Sequence, residues 1–350
     1  MTSGAPLETS FGPSSQELAY AEERIARLRE CYAGIRANVA TVVVGQEEVV
    51  KLLTTGLLCG GHMLMEGVPG LAKTLMVKTL SETLGWHCSR IQFTPDLMPA
   101  DITGTEILQS DEAGVRRELI FHKGPIFANL ILADEINRTP PKTQAALLEA
   151  MQEHAVTVNG KTYPLKPPFV VVATQNPIEQ EGTYPLPEAQ LDRFMISIYL
   201  DYPTKSQELE IAARPCRMQV PDMDAVARPE EFADFIDVLD HAPVSDYVLE
   251  YAVSLTTATR PKGPDADEFV RNYVAWGVSP RCTQHLVTAS KAAAILEGRP
   301  SPEVQDVRDM APAVLRHRML PNYNALGEGL TSSDIVKHLL DAVREPARVR

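Results

Sequence analysis

A glycine-rich turn at residues 67–74 joins a short apolar segment, His62–Glu66, to a helical pattern at Thr74–Leu84. The turn reads Gly67-Val68-Pro69-Gly70-Leu71-Ala72-Lys73-Thr74. A strand, a glycine-rich loop and a helix in this order present backbone amides and a helix N-terminus to a phosphate group. In such a loop Lys73 would reach the β and γ phosphates of a nucleotide, and the Thr74 hydroxyl would hold Mg²⁺. A plain turn between a strand and a helix is the competing interpretation.

One position departs from the usual pattern of a phosphate-binding loop, which has glycine immediately before the lysine. Ala72 occupies this position here. A methyl group fits if the residue already has right-handed helical angles, which any L-residue adopts easily. On that basis we predict that the loop tolerates alanine.

Strand-like and helix-like runs alternate from this turn to about residue 201. The strand candidates are Met63–Met65, Ser89–Phe93, Asn129–Ala133, Phe169–Thr174 and Met195–Leu200. Three of them are nearly all apolar, as strands of a parallel sheet are when helices cover both faces. The alternation therefore predicts an α/β fold, an αβα sandwich with helices on both sides of the sheet.

Two segments interrupt the alternation and are predicted to form β-hairpins. Gly104–Phe121 has the pattern of a strand, a turn and a second strand. Ala155–Tyr163 is clearer, because Asn159-Gly160 supplies the positive φ angles of a type I′ turn. Simple extensions of the main sheet are the alternative interpretation of both hairpins.

The pattern changes after Pro203. Arg214–Glu230 carries three prolines and no clear period, which is typical of a linker. From Tyr247 onward the pattern is helical, and Ser279-Pro280 and Ser301-Pro302 mark helix starts, where serine caps free amides and proline fits the first helical position. The predicted organisation is a flexible tail at 1–15, an α/β domain at 16–203, a linker at 204–246 and a small all-α domain at 247–350.

Two adjacent acids, Asp134-Glu135, follow the apolar segment Leu130–Ala133. Ligands of open α/β sheets bind at the carboxyl ends of the strands. Asp134 would support Mg²⁺ there, and Glu135 would polarise a water molecule for attack on the γ phosphate. Capping of the following helix is the other use of such a pair, and a phosphate loop in the same sheet favours the catalytic interpretation.

Three further polar residues are candidates for the same site. Asn176 follows a predicted strand, where its amide could fix the attacking water, although asparagine before proline also forms turns. Arg193 lies on a short helical segment, where a pair with Asp192 is the ordinary use of an arginine. Arg281 lies in the first turn of a helix, an unfavourable position for a cation, which suggests a contact with phosphate.

Charge and cysteine usage limit the classes of partner. The chain has 33 basic and 46 acidic residues, a net charge of −13, whereas affinity for nucleic acid draws on cations that neutralise phosphates. Nucleic acid is therefore a disfavoured partner. No apolar run approaches the roughly 18 residues that span a bilayer, and we read no signal or anchor in Met1–Ser15. The five scattered cysteines lack zinc-site spacing and predict reduced, buried thiols in the cytoplasm; they are Cys31, Cys59, Cys88, Cys216 and Cys282.

Taken together, these residues resemble the AAA+ ATPases, and in finer wording the MoxR family. The general resemblance rests on Gly67–Thr74, Asp134-Glu135, Asn176, Asp192-Arg193-Phe194 and Ser279-Pro280-Arg281. The MoxR resemblance rests on the loop and on 91–96, 134–138, 147–153, 174–177, 181–194 and 315–318. It covers nearly everything after the tail, and alanine before the lysine is normal for this family.

The resemblance implies ATP and Mg²⁺ as cofactors. It assigns nucleotide binding to Val44, Gly45 and Gln46 beside the adenine, and to Gly67, Pro69, Gly70, Leu71, Ala72, Lys73, Thr74 and Leu75 around the phosphates. Thr74 and Asp134 would hold the metal. Glu135 would be the catalytic acid, with Asn176 as the sensor-1 residue, Arg281 as the sensor-2 arginine, and Arg193 as the finger that reaches the neighbouring subunit.

The resemblance also implies a ring, hexameric in expectation, that remodels or matures partner proteins. Partners in this family often contain a von Willebrand factor A domain, and a metalloenzyme that receives its metal is a further type of client. The hairpins Gly104–Phe121 and Ala155–Leu165 would be the helix-2 insert and the pre-sensor-1 hairpin facing the ring axis. A nucleic-acid motor and a nucleotide-gated scaffold of the same fold are the alternatives.

Overall fold

A computed structural model describes residues 15–110, 117–178, 182–215 and 223–346 of the 350-residue chain. Most of the predicted tail lies outside these ranges, as do the tip of the first predicted hairpin and Cys216. The strands are β1 (Met63–Glu66), β2 (Cys88–Gln92), β3 (Gly104–Ser110), β4 (Arg117–Lys123), β5 (Leu130–Asp134), β6 (Ala155–Val158), β7 (Lys161–Pro164), β8 (Val170–Gln175), β9 (Ile196–Tyr199), β10 (Val274–Trp276) and β11 (Leu320–Pro321).

The α-helices of the described ranges precede, alternate with and follow these strands. They are α1 (Ser15–Val42), α2 (Glu47–Leu58), α3 (Lys73–Thr83), α4 (Pro99–Thr103), α5 (Pro141–Glu153), α6 (Glu188–Leu191), α7 (Lys205–Ala213), α8 (Pro229–His241), α9 (Asp246–Ala258), α10 (Glu268–Tyr273), α11 (Pro280–Leu296), α12 (Val304–Leu315), α13 (Tyr323–Gly327) and α14 (Ser332–Ala342). Not one of them combines the length and the apolar character that crossing a bilayer requires.

A five-stranded parallel sheet in the order β2-β5-β8-β1-β9 forms the centre of the first domain. Its strands begin and end within one residue of the predicted ones, so the α/β prediction is confirmed. Alternate residues of β5 enter two different cores: Leu130 and Leu132 pack on one face of the sheet, and Ile131 packs on the other. Burial on both faces is the reason that β5 and β8 are largely apolar, whereas β2 at the edge of the sheet is partly exposed and carries polar residues.

Both predicted hairpins are present, and each forms its own two-stranded antiparallel sheet. The interpretation as extensions of the main sheet is therefore wrong. Asn159 and Gly160 have φ angles of 49° and 80°, as the predicted type I′ turn requires. The hairpins contact one another, since the rings of Phe121 and Tyr163 stack with centroids 4.1 Å apart and Asn159 donates to Glu106 at 3.0 Å.

The interval predicted as a linker, residues 204–246, contains the helices α7 and α8. Phe232, Phe235 and Leu239 of α8 lie on one face of that helix and are buried in the larger hydrophobic core. This amphipathic spacing was hidden by the surrounding prolines. The domain boundaries themselves stay a prediction.

The C-terminal domain is mainly helical, and β10 pairs antiparallel with β11 within it, so it is not all-α. Ser279 and Pro280 start α11 as predicted, but the Ser279 hydroxyl makes no capping bond and instead lies 3.4 Å from an oxygen of Asp192. The predicted start at Ser301-Pro302 is wrong by a few residues. α12 begins at Val304, after Glu303, whose N–H donates to Asp306 at 2.7 Å.

The cysteines in the described ranges are free thiols. Cys31 and Cys282 are buried, as predicted, whereas Cys59 and Cys88 are half-buried. Burial raises the pKa of Cys282 to about 11, so this thiol is protonated and unreactive at neutral pH.

His62, just before β1, is a buried histidine with a defined tautomer. Its Nδ1 accepts the N–H of Val171 at 3.0 Å, so Nε2 carries the proton and donates to the carbonyl of Met151 at 3.1 Å. Burial lowers its pKa from 6.5 to about 4. The folded protein therefore holds the ring in its neutral form at neutral pH, because burial disfavours the charged imidazolium.

Because the unfolded chain protonates His62 near pH 6.5 and the folded chain only near pH 4, the free energy of unfolding falls as the pH falls between these values. We expect His62→Gln to remove this contribution and to give a shallower pH dependence, measured by urea unfolding between about pH 4.5 and about pH 7. His241→Gln, at an exposed position of α8, is the control and should retain the wild-type slope. Equal slopes in all three proteins would contradict a neutral His62.

Candidate functional site

The glycine-rich loop connects β1 to α3, which begins at Lys73. A Cβ atom at Gly67 would lie 3.1 Å from the carbonyl oxygen of Leu200, the residue after β9, so a larger residue there would force its neighbours to shift. Gly70 has a φ of 89°, which only glycine adopts without strain. The ammonium of Lys73 donates to the carbonyl of Gly67 at 2.6 Å and to that of Gln175 at 3.2 Å. The loop thus holds its lysine at the carboxyl edge of the sheet.

Ala72 does not have the right-handed helical angles that we predicted. Its φ and ψ are 57° and 21°, in the left-handed region. The methyl group is tolerated, but at a backbone strain of about 1 kcal/mol, because Cβ approaches the following carbonyl in this conformation. The expectation was wrong because Ala72 is not yet part of α3: it is the left-handed residue directly before the helix begins at Lys73.

The carboxylate of Asp134 lies beside the start of α3, as the sequence predicted. Its Oδ1 accepts the hydroxyl of Thr174 at 2.6 Å, and its Oδ2 lies 3.4 Å from the hydroxyl of Thr74. Thr74 and Asp134, the two residues predicted to hold a metal, are thus brought together. A hydroxyl and a carboxylate at one point form the all-oxygen donor set that Mg²⁺ prefers.

Glu135 follows β5 with a left-handed backbone, φ 59°, and its side chain does not cap the next helical turn. The carboxylate accepts Gln92 Nε2 at 2.9 Å and forms an ion pair with Arg138 at 3.2 Å. Its backbone N–H donates to the hydroxyl of Thr174 at 2.9 Å. The helix-capping alternative is therefore excluded, and Glu135 is aimed at the same edge as Asp134.

Sequence reasoning missed the groups that hold these two acids. Arg90 on β2 donates to Asp134 Oδ2 through Nε at 3.1 Å and Nη2 at 2.7 Å, and Nη2 also lies 2.6 Å from Gln92 Oε1. Thr174 bonds to both acids. The sequence could have indicated that Arg90 and Gln92 act together, because residues two apart in a strand face the same side of the sheet.

Asn176 is buried directly after β8, at the edge that carries Asp134. Its Oδ1 accepts the N–H of Ile178 at 3.2 Å, so it also forms the turn that we considered as an alternative. Together with Gln175 it lines a cavity of about 450 Å³. The amide of Asn176 thus borders a cavity at the carboxyl end of β8, and neither Asp134 nor Glu135 is among the residues that line it.

The two candidate arginines lie apart from these acids. Arg193 is half-buried and donates to the carbonyl of Leu148 at 2.6 Å rather than to Asp192. Arg281 is exposed at the start of α11. Within the described ranges, no hydrogen bond or ion pair joins either guanidinium to Asp134 or Glu135.

A second cavity, of about 590 Å³, lies between the sheet domain and the helical domain. Gln46, directly before α2, and Leu52 within α2 line it, and so do Tyr199 of β9 and Arg316, the residue after α12. Tyr199 pairs with Glu66 in the sheet, so this cavity opens beside the start of the loop. Its size and position suit a nucleotide base. Val44 and Gly45 are not among its lining residues.

Burial raises the pKa of Glu66 and that of its neighbour Tyr199, the latter to about 12. The charge of Arg316 opposes both shifts. Its guanidinium lies 3.9 Å from the centroid of the Tyr199 ring. Arg316 therefore provides, at the wall of the cavity, the positive charge that favours the ionised forms of Glu66 and Tyr199.

Arg316-His317-Arg318 fastens the helical domain to the segment that carries Arg193. The Arg318 side chain is only 2% exposed, and its Nε donates to Asp192 at 2.8 Å. His317 contacts the carbonyl of Phe194 at 2.9 Å, and Arg316 donates to the carbonyl of Ser197 at 2.6 Å. The sequence showed this run, but nothing in its spacing indicated this contact.

A parallel sheet of this order, a phosphate-type loop beside an acidic strand end, and a helical domain over the cavity define an AAA ATPase. Residues 62–196 match the family model for the ATPase family associated with various cellular activities, and residues 267–339 match that for the AAA lid domain. The chain belongs to the MoxR family of these ATPases, as the following relatives show.

The chain is 42% identical to Chaperone MoxR1 of Mycobacterium tuberculosis over 314 residues. This alignment covers 88% of this chain and 81% of that protein. It is 31% identical over 339 residues to Protein MoxR of Paracoccus denitrificans, covering 91% and 94%. A solved structure of a candidate ATPase from Cytophaga hutchinsonii superposes with a TM-score of 0.87 at 41% identity, over 95% of this chain and all of that one.

We expect Ala72→Gly to stabilise the protein by about 0.5 kcal/mol, because relief of about 1 kcal/mol of left-handed strain exceeds the added freedom of the unfolded chain. Ala37→Gly, at an exposed position inside α1, is the control and should cost about 1 kcal/mol. Urea unfolding measures both changes. If Ala72→Gly were destabilising by as much as Ala37→Gly, Ala72 would not be strained.

Proposed function

We propose that this MoxR-family protein hydrolyses ATP as its Mg²⁺ complex in a cytoplasmic ring of identical subunits, and uses the energy to remodel client proteins. The observation that carries the proposal is the approach of Thr74 to Asp134 at 3.4 Å beside the lysine of the glycine-rich loop. The buried free thiols of Cys31 and Cys282 are consistent with the proposed location in the cytoplasm, a reducing compartment.

In the structure, the ammonium of Lys73 donates to carbonyl oxygens of the loop and of β8. When a nucleotide binds, it donates to phosphate oxygens in their place. Mg²⁺ would neutralise charge on the transferred phosphoryl group, held by Thr74 and Asp134. Glu135 lies beside Asp134 and accepts a hydrogen bond from the attacking water. Asn176 orients that water through its amide.

Two arginines complete the proposed site, one from the lid domain and one from the neighbouring subunit. Arg281 is exposed at the start of the lid helix α11 and reaches the nucleotide from the lid. Arg193, fixed beside Asp192, serves the site of the neighbouring subunit as an arginine finger. A hexamer is the ring that we propose.

Client proteins contact the two hairpins. Ile107, Leu108, Leu119 and Ile120 expose large apolar side chains on the β3–β4 hairpin. Exposed apolar groups of this size mark surfaces that bind other proteins, and they favour a protein client over nucleic acid. A separate protein with a von Willebrand factor A domain, or a metalloenzyme that receives its metal, is the client class that we propose.

Lys73→Ala should abolish ATP binding, because the loop loses the cation for the β and γ phosphates. Glu135→Gln should bind ATP but not hydrolyse it, since the amide cannot accept the water proton. Isothermal calorimetry with ATP and Mg²⁺ measures the first and phosphate release the second. Lys78→Ala, at an exposed position of α3, is the control and should behave as the wild type. Wild-type turnover in Glu135→Gln would remove Glu135 from the proposed role.

Arg193→Ala should lower the hydrolysis rate on the order of 10³–10⁵-fold, the range typical of arginine fingers. If the finger acts on the neighbouring subunit, mixed rings of Arg193→Ala and Lys73→Ala subunits contain some intact sites, so part of the activity should return. Phosphate release from rings whose mixing is confirmed by native mass spectrometry measures this recovery. No recovery in confirmed mixed rings would contradict action in trans.

A further inference from the structure

Arg90 forms an ion pair with Asp134, one of the two residues proposed to hold Mg²⁺. Its guanidinium contacts Oδ2 through two nitrogens, at 2.7 and 3.1 Å, and Thr74 lies 3.4 Å from the same oxygen. Oδ1 is already engaged by Thr174 at 2.6 Å. The oxygen that faces Thr74 is therefore neutralised by a side chain of the protein itself.

The two members of this ion pair differ in how firmly they are held. The Asp134 side chain is 11% exposed and fixed at the end of a central strand, whereas that of Arg90 is 54% exposed on β2, the edge strand of the sheet. A long, half-exposed arginine on an edge strand has room to rotate away. Gln92 Oε1, 2.6 Å from Arg90 Nη2, remains available as its partner.

We propose that Arg90 is a displaceable counter-cation, which neutralises Asp134 in the nucleotide-free protein and gives up Oδ2 when Mg²⁺ arrives with a nucleotide. The inference rests on the proposed function. A guanidinium and Mg²⁺ cannot share one carboxylate oxygen at short distance without strong repulsion. Binding of the metal-bound nucleotide therefore includes the cost of breaking the Arg90–Asp134 pair.

The same pair helps a nucleotide that arrives without metal. Asp134 and Glu135 are adjacent carboxylates at the edge where phosphates would lie, and Arg90 removes one of the two negative charges from the field that the phosphates meet. Loss of Arg90 thus weakens metal-free binding and strengthens binding with Mg²⁺. Both effects change the ratio of the two affinities in the same direction.

The test is the affinity for a fluorescent ADP analogue, N-methylanthraniloyl-ADP, measured in EDTA and in saturating Mg²⁺ by fluorescence titration. For each protein, the Kd in EDTA is divided by the Kd in Mg²⁺. We expect this ratio to be about three- to tenfold larger in Arg90→Gln than in the wild type, the range of a charge-assisted pair that is partly exposed to solvent. The measurement involves no hydrolysis.

Three variants separate charge from other effects. Arg90→Lys keeps the cation and should leave the ratio within about twofold of the wild type, since the charge competes as before. Arg90→Met, which keeps an alkyl stem, is a second neutral variant should Arg90→Gln fold poorly. Arg271→Gln removes a positive charge from α10 in the lid and should leave the ratio unchanged.

An unchanged ratio in both neutral variants would overturn the inference, as would an equal rise in Arg90→Lys. Loss of binding in Mg²⁺ on removal of Arg90 would also overturn it, because the arginine would then contact the nucleotide itself. If the wild type bound the analogue in neither buffer, the proposed function would fail as well. Normal wild-type binding with an unchanged ratio refutes the role of Arg90 alone.

Discussion

One buried hydroxyl sets the geometry of the acidic edge. Thr174 donates to Asp134 at 2.6 Å and accepts the backbone N–H of Glu135 at 2.9 Å, so a single side chain of β8 fixes the carboxylate of Asp134 and the backbone of Glu135. Hydrogen bonds to charged groups contribute about 1.5–3 kcal/mol, and Thr174 has no exposed surface at which water could replace it. The position of each acid relative to Thr74 follows from this contact.

The elements that were predicted from the sequence are those whose pattern is set by burial alone. Strands β5 and β8 are largely apolar because both of their faces are buried, and the rule that ligands meet the carboxyl edge located Asp134 and Glu135. Arg90 and Thr174 were not found, because a contact between strands depends on their order and register. The left-handed backbone of Ala72 was hidden for a similar reason: the path of the loop is set by the strands around it.

The second half of the chain shows the limits of local signals more clearly. Ser279 occupies the cap position of α11, but its hydroxyl contacts Asp192 and makes no hydrogen bond to an amide of the helix. The aromatic residues of α8 did not by themselves predict a packed helix. The structure shows that this face is buried in the larger hydrophobic core. A cap or an amphipathic face is therefore a local preference, and tertiary contacts decide whether it is used.

The fastening made by Arg316-His317-Arg318 limits how the two domains can move. Arg318 is bonded both to the Asp192 carboxylate and to carbonyls on each side, so rotation between α12 and residues 192–197 would leave a buried guanidinium unsatisfied. A hinge that allowed the helical domain to rotate would have to lie elsewhere along the chain. In the proposed ring, a force applied by an adjoining subunit at Arg193 would therefore be passed to the helical domain through the contact between Asp192 and Arg318.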